Sequence, residues 1–312
     1  MRHLLLAALL IIAHASSAEP LRLQLKWLPQ AQFAGYYVAE AKGFYAEAGL
    51  EVEILPGGTD FAPTERLAAG GADISVEWFT AAMTAREYGL ELVNIAQPFA
   101  RSGFAITCLR TRVPNLARLN GATIGIWSAG NEYPAIALLA SAGLTPSDVT
   151  MVPQEGLAST LLLENKADCV STMSYNEARE LSDAGLPAED LIAYDAEAFG
   201  TVLLDDGLYI RGDALVDPAF AEKLDAFVAA SMKGWTWAMA NPEGAAGIVI
   251  DLAGLNQNTL EAQVRMMKGV SDLIGEEPVM DPTAFAKAAD LLVDAGLISM
   301  VPDYDAVVIN AP

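Results

Sequence analysis

The sequence predicts a two-lobed α/β protein in which each lobe is a mainly parallel sheet flanked by helices. Three observations carry that expectation. Short apolar strands alternate with amphipathic helices, a βαβα rhythm that calls for a parallel sheet covered on both faces. The rhythm restarts near Ala122. Between the two stretches there is no Ser/Pro/Gly-rich linker, so the lobes should share crossing strands rather than hang on a flexible joint.

Leu21 to Trp27 alternates apolar and polar residues at period two and reads as a half-buried strand. Phe33 to Ala48 reads as a helix ended by Gly49, and Glu51 to Leu55 as a strand entering the turn Pro56-Gly57-Gly58. Thr64 to Ala69 suits a helix stopped by Gly70-Gly71, with Asp73 to Val76 as the next strand. In the second unit Ala122 to Trp127 is a strand, and Tyr133 to Ala142 is a helix closed by Gly143. Val149 to Val152 and Asp168 to Thr172 follow as strands. The C-terminal part is helical, most clearly over Pro218 to Ala240. Crossings are expected near Phe104–Arg110 and Val202–Arg211. Lobe one is then residues 19–106 plus 207–312, and lobe two is the insertion 107–206.

Residues 1–18 read as a secretory signal. Arg2 and His3 form a positive head, Leu4 to Ala13 is an apolar run too short for a stable span, and Ser16-Ser17-Ala18 offers small residues for cleavage. No cysteine follows the apolar run, so a soluble periplasmic protein beginning near Glu19 is expected, not a lipoprotein. That remainder carries 17 basic against 40 acidic residues. Nucleic-acid phosphates would be repelled by it. Both histidines, His3 and His14, fall within the signal. A Ser-His-Asp or Cys-His arrangement and a histidine-ligated metal are thereby excluded from the mature chain. Cys108 and Cys169 allow a disulfide between neighbouring strands of one lobe, or two buried apolar fillers; the second is the reading taken.

In open α/β sheets ligands sit beyond the carboxyl ends of the strands. The first strand ends in Lys26-Trp27, followed by Gln30, Gln32 and Phe33, with Tyr36 and Tyr37 opening the helix. Another strand ends in Glu77-Trp78, and another in Asn94 to Gln97, with Arg101-Ser102 on the approach to the crossing. From the second lobe come Trp127, then Asn131, Glu132 and Tyr133, and later Tyr175-Asn176-Glu177. Trp235 and Trp237 lie within a helix and are assigned to packing. Aromatic rings beside amides and carboxylates suit a flat nitrogen heterocycle: the rings stack, and the polar groups satisfy ring N–H and amino groups. Neither the dinucleotide nor the Walker glycine pattern is present.

Lys26-Trp27-Leu28-Pro29-Gln30-Ala31-Gln32-Phe33-Ala34-Gly35-Tyr36-Tyr37, followed by Lys42-Gly43-Phe44-Tyr45, resembles the substrate-binding proteins of ABC importers that are similar to the thiamine pyrimidine synthase family. Trp127 to Glu132, Tyr175-Asn176-Glu177 and Gly200 to Gly207 are similar to it as well. The Lys-Gly-Phe-Tyr part is shared with sulfonate and nitrate binders. The resemblance implies the type II periplasmic binding fold and a role as receptor for a membrane permease and its ATPase. It implies a thiamine pyrimidine precursor or riboflavin as ligand, no bound cofactor, and Asp205 as a further ligand-binding residue. The synthases of the family use a lysine and a histidine whose positions fall on Glu77 and Ala81, and a cysteine-rich segment that here reads Ala198-Phe199-Gly200. A non-catalytic binder is therefore expected. Two rivals stand beside it: an enzyme pairing Glu132 with Glu177 as acid and base, and an anion binder relying on Lys26 and Arg101.

Overall fold

The computed structural model describes residues 19–309 except residue 197. The expected signal segment lies outside the described residues. The first βαβ unit runs β1 (Leu21–Gln24), α1 (Ala34–Ala41), α2 (Phe44–Glu47), β2 (Val52–Leu55), α3 (Pro63–Ala68), β3 (Ile74–Glu77), α4 (Phe79–Glu87) and β4 (Leu92–Ala96). The chain then passes to a second sheet through β5 (Phe104–Leu109). There it builds β6 (Thr123–Ile126), α5 (Tyr133–Ser141), β7 (Thr150–Pro153), α6 (Ala158–Leu163), β8 (Cys169–Met173), α7 (Glu177–Asp183) and β9 (Leu191–Asp195). It returns through β10 (Gly207–Arg211), after which α8 (Pro218–Ala240), α9 (Pro242–Ala253), α10 (Leu260–Ser271), α11 (Pro282–Asp294) and α12 (Tyr304–Val307) complete the chain.

The sheet orders are β2-β1-β3-β10-β4 and β7-β6-β8-β5-β9. Each contains one antiparallel strand, and in each it is the one that has just crossed over: β10 against β3 and β4, β5 against β8 and β9. A strand arriving from the other sheet enters from the cleft side and so must run against its neighbours. The remaining strands share one direction, and their carboxyl ends face the place where the two crossings meet.

Local chemistry explains where elements stop. The expected long helix from Phe33 divides at Gly43, whose φ of 75° is left-handed. Strand β1 ends at Gln24, short of the expected Trp27, yet Leu25 N–H still bonds Leu55 C=O at 2.9 Å. Gly57 then folds back onto that segment so closely that a Cβ there would stand 2.5 Å from Leu25 O and Trp27 N. The turn thus fixes Lys26 and Trp27 just past the strand end.

Helix α8 packs on α1 through two glycines. A Cβ at Gly35 would meet the Trp235 indole at 2.2 Å, and one at Gly234 would meet Gly35 O at 2.0 Å. The fully buried Trp235 fills this contact edge-on to Tyr36 at 5.6 Å and Phe99 at 5.9 Å. Gly35→Ala is therefore expected to cost about 1–3 kcal/mol by overpacking. Urea denaturation reads it, and an unchanged midpoint would show that the helices part at no cost. Trp237, also assigned to packing, lies partly exposed beneath Lys42, whose Nζ is 4.2 Å from its ring centroid.

One expectation is corrected. Cys108 and Cys169 are not separate fillers but a disulfide. They stand directly opposite in the β5–β8 ladder, both fully buried. Opposed residues of antiparallel strands point the same way with Cβ atoms within bonding reach. Among the described residues no helix is long and apolar enough to cross a membrane.

Candidate ligand-binding site

The carboxyl ends of β1, β3, β6 and β8 converge on one narrow cavity between the two sheets, about 300 Å3 counted to its open mouth. Trp27 and Trp78 enter from the first sheet and Trp127 from the second. The Trp127 ring centroid lies 6.1 Å from Trp27 and 6.5 Å from Trp78, at tilts of 57° and 53°. Phe104 backs the group, 5.9 Å from Trp78 and 6.1 Å from Trp127. Trp78 and Trp127 are buried, whereas Trp27 keeps partial exposure at the mouth.

Polar groups ring this apolar box. Lys26 Nζ sits 3.7 Å from the Trp78 ring centroid and 3.7 Å from Glu77 Oε1, and it donates to Asn131 Oδ1. Since Lys26 follows β1 and Asn131 follows β6, that bond joins the two sides of the cleft. Asn131 Nδ2 is anchored on Ser128 O at 3.0 Å. On another wall Gln30 Nε2 donates to Gln32 Oε1, and Gln32 Nε2 to Asp206 Oδ2, both at 2.7 Å. Glu177 accepts from Met173 N and Asn176 Nδ2, each at 2.9 Å.

The electrostatics are one-sided. Glu77, Asp205 and Asp206 are all buried to within 2 % exposure, and Lys26 is the cation that opposes the burial of each. Burial pushes Asp205 up to about 7 against the Gly103 N–H, the Ser102 hydroxyl and Lys26, with the neighbouring Asp206 adding to the rise. Burial likewise lifts Asp206 to about 6 and Glu177 to about 7, and raises Glu77. With folded values above the ordinary carboxyl value near 4, the native state holds more protons than the unfolded chain. Their contribution to stability is complete below that value and is lost as pH rises through about 6 to 7. Asp205→Asn keeps an acceptor for the Gly103 N–H and removes the titration. It is expected to narrow the stability difference between pH 5 and pH 8, measured by urea unfolding. An identical difference in the variant would remove Asp205 from the account.

Eight residues singled out from sequence line this cavity: Trp27, Gln32, Trp78, Trp127, Asn131, Tyr175, Asn176 and Glu177. The structure does not bring the other six to it. Phe33 and Tyr36 turn into the core, 0 % and 1 % exposed, because the helix start faces α8 rather than the cleft. Gln97 Nε2 donates to Phe99 O and Asp205 O, each at 3.0 Å. Ser102 Oγ accepts from Phe104 N at 3.0 Å, and Asp205 Oδ2 from Gly103 N at 2.8 Å. Gln97, Ser102 and Asp205 thus tie the two crossings together instead of lining the cavity. Glu132 binds Gly130 N at 2.9 Å and faces a neighbouring groove. Glu132 and Glu177 therefore line different spaces, which removes the geometry for an acid–base pair.

Lys26 and Gln30, noted above at the end of the first strand, line the cavity too, and so does Met173 at the end of β8. Lys26 was traceable: a buried Glu77 at a strand end needs a counter-ion, and Lys26 is the lysine at the adjoining strand end. Arg101 donates to Asp272 O and does not join it.

A family model described as NMT1/THI5 like matches residues 30–245. The chain is 30 % identical over 269 residues to the riboflavin-binding protein RibY of Chloroflexus aurantiacus, covering 81 % of this chain and 74 % of that protein. It is 24 % identical over 235 residues to the formylaminopyrimidine-binding protein of Halalkalibacterium halodurans, covering 74 % and 70 %. Among solved structures, the ligand-binding component of an ABC-type import system from Staphylococcus aureus superposes with a TM-score of 0.67 at 14 % identity, covering 93 % of this chain and 97 % of that one. The architecture is the periplasmic binding protein fold.

Proposed function

Because the chain belongs to the NMT1/THI5-like family, we propose that it is the solute-binding component of an ABC importer for a planar nitrogen heteroaromatic compound. The observation that carries this is the meeting of three indoles from two sheets in one cavity edged with amides and carboxylates. A ring between them gains about 0.5–1.5 kcal/mol per good aromatic pair beyond burial. Asn131, Asn176, Gln32 and Glu177 orient it by hydrogen bonds to ring nitrogens and exocyclic groups.

The two relatives named for their ligands bind riboflavin and formylaminopyrimidine. Trp127 stands 6.1 and 6.5 Å from the other two indoles, so a ligand must part them to enter. A single aminopyrimidine-type ring requires less opening than a fused tricycle. Two lobes, with boundaries near residues 106 and 207, close over the ring by rocking at the crossings tied by Asp205. The ligand stabilises the closed state to the extent that both lobes touch it. The closed form is then what the permease and ATPase receive on the periplasmic side.

Two positions support a binder over a synthase. Glu77, where the synthase lysine is expected, is a carboxylate facing Lys26, and Ala81 offers no imidazole. An anion such as a sulfonate finds a poor partner in a cavity with Glu177 on its wall and Asp206 behind Gln32.

The test is to purify the exported protein under native conditions, release what it holds by heat, and record the mass and absorption of the supernatant. The reading predicts a heteroaromatic compound in near-stoichiometric amount, or saturable binding of 4-amino-5-hydroxymethyl-2-methylpyrimidine by the emptied protein. Alkanesulfonate binding that excludes such rings would contradict it.

A further inference from the structure

Asp206 stands immediately before the crossing strand β10 and does not itself line the indole cavity, yet two residues of the cavity wall turn toward it. Its neighbours in the chain fix its place. Gly207 pairs with Glu77 in the β10–β3 ladder, and a Cβ there would meet Gln97 Oε1 at 2.6 Å and Asn94 Nδ2 at 2.8 Å. On the other side Asp205 accepts from Gly103 N at 2.8 Å and, through its carbonyl, from Gln97 Nε2 at 3.0 Å. The backbone held between them puts the Asp206 carboxyl group, 1 % exposed, directly behind Gln32.

Gln32 is the link to the cavity. Its Nε2 donates to Asp206 Oδ2, and its Oε1 accepts from Gln30 Nε2, both at 2.7 Å. Burial lifts Asp206 to about 6, and Lys26, Gln32 and the Trp78 N–H hold the rise there, so the group is a carboxylate at neutral pH. A carboxylate only accepts hydrogen bonds. It therefore takes the NH2 end of the Gln32 amide and leaves the C=O end for the cavity side. Gln30, which receives that oxygen, is only half-buried and lines the same cavity, so a ligand N–H can take its place. Trp78 Nε1, buried and without a hydrogen bond among the described residues, is a second donor on the Asp206 side.

We propose that Asp206 is a positioning residue that fixes Gln32 with its carbonyl oxygen toward the cavity, and so selects a ring carrying an amino group over one carrying an oxo group at the edge that meets Gln32. The inference rests on the ring-binding reading above and adds which edge of the ring is read. An amino group displaces Gln30 and donates to Gln32 Oε1. An oxo group there meets another acceptor. Gln32 cannot turn its NH2 to that oxo group without taking it from Asp206, which would leave a buried carboxylate short of a donor. A site built around one hydrogen-bonding polarity rejects the isostere of the other polarity far better than shape alone can.

Calorimetry of the emptied full chain with two probes of the same size tests it: 4-amino-5-hydroxymethyl-2-methylpyrimidine and its 4-oxo analogue, which keeps the hydroxymethyl and methyl groups. The amino probe is expected to bind at least about tenfold more tightly. In Asp206→Asn the new amide can donate to Gln32 Oε1 and let Gln32 turn over, so the ratio of the two constants is expected to fall severalfold. Gln32→Met, which removes the reading group itself, is expected to lower the ratio as well, and adding Asp206→Asn to it should change the ratio no further. A merely structural role for Asp206 would weaken both probes alike and leave the ratio where it was. Equal affinities in the unsubstituted protein, or a ratio unaltered in either single variant, would overturn the proposal while leaving ring binding intact. Failure of both probes to bind would bring down the two readings together.

Discussion

Opening the Cys108–Cys169 bond is expected to lower the stability of the protein by about 4 kcal/mol. The two cysteines are 61 residues apart. For a loop of that length the chain-entropy model gives a constraint of about 4 kcal/mol on the unfolded state. The loop encloses β6, α5, β7 and α6, so the bond restrains most of the second sheet before it forms. Urea titrations of the oxidised protein, the reduced protein and the double variant Cys108→Ala/Cys169→Ala measure the effect. Both reduced forms should unfold at clearly lower urea. Coincident curves would mean that the unfolded chain gains nothing from release. Ligand affinity should fall too, since β8 leads directly into Met173 and Tyr175 and β5 starts at Phe104 behind the indoles.

Trp127→Ala is expected to weaken ring binding by about 1–3 kcal/mol, as loss of a central aromatic anchor does. Trp127 is the indole shared by both close pairs, toward Trp27 and toward Trp78, and it comes from the opposite sheet. Removing it deletes a ring face and also one of the contacts that close the cleft. Trp235→Ala is the contrasting control. That ring is fully buried among α1, α8 and Phe99, away from the cavity, so its loss should lower stability by about 3–5 kcal/mol with little change in affinity for the folded protein. Calorimetry and urea unfolding on both variants separate the roles. Equal losses of affinity in the two would mean that Trp127 acts only through packing.

Much of this was legible in the residues. Strand ends are marked by where period-two patterning stops, and ligand sites in α/β sheets gather there, so Trp27, Trp78, Trp127 and Tyr175 could be found without a structure. What failed was direction around the axis. Phe33 and Tyr36 sit in the same short stretch as Gln32, yet the turn from 3-10 to α-helix at Ala34 points them to the core. Helical spacing cannot reveal which face a helix buries when most of its residues are apolar. Gln97, Ser102 and Asp205 misled for another reason. Chain crossings also need buried hydrogen-bonding groups, and those look the same in sequence as groups awaiting a ligand. The disulfide was undecidable because pairing depends on strand register, which the β5–β8 ladder sets across 61 residues.

The most direct measurement is a crystal structure of the protein soaked with 4-amino-5-hydroxymethyl-2-methylpyrimidine. The ring is predicted to lie in the cleft with Trp127 against one side, Trp27 or Trp78 against the other, and its nitrogens toward Asn131, Asn176 or Glu177. A ring bound away from all three indoles, or indoles packed against one another with no space opened by the ligand, would contradict the account.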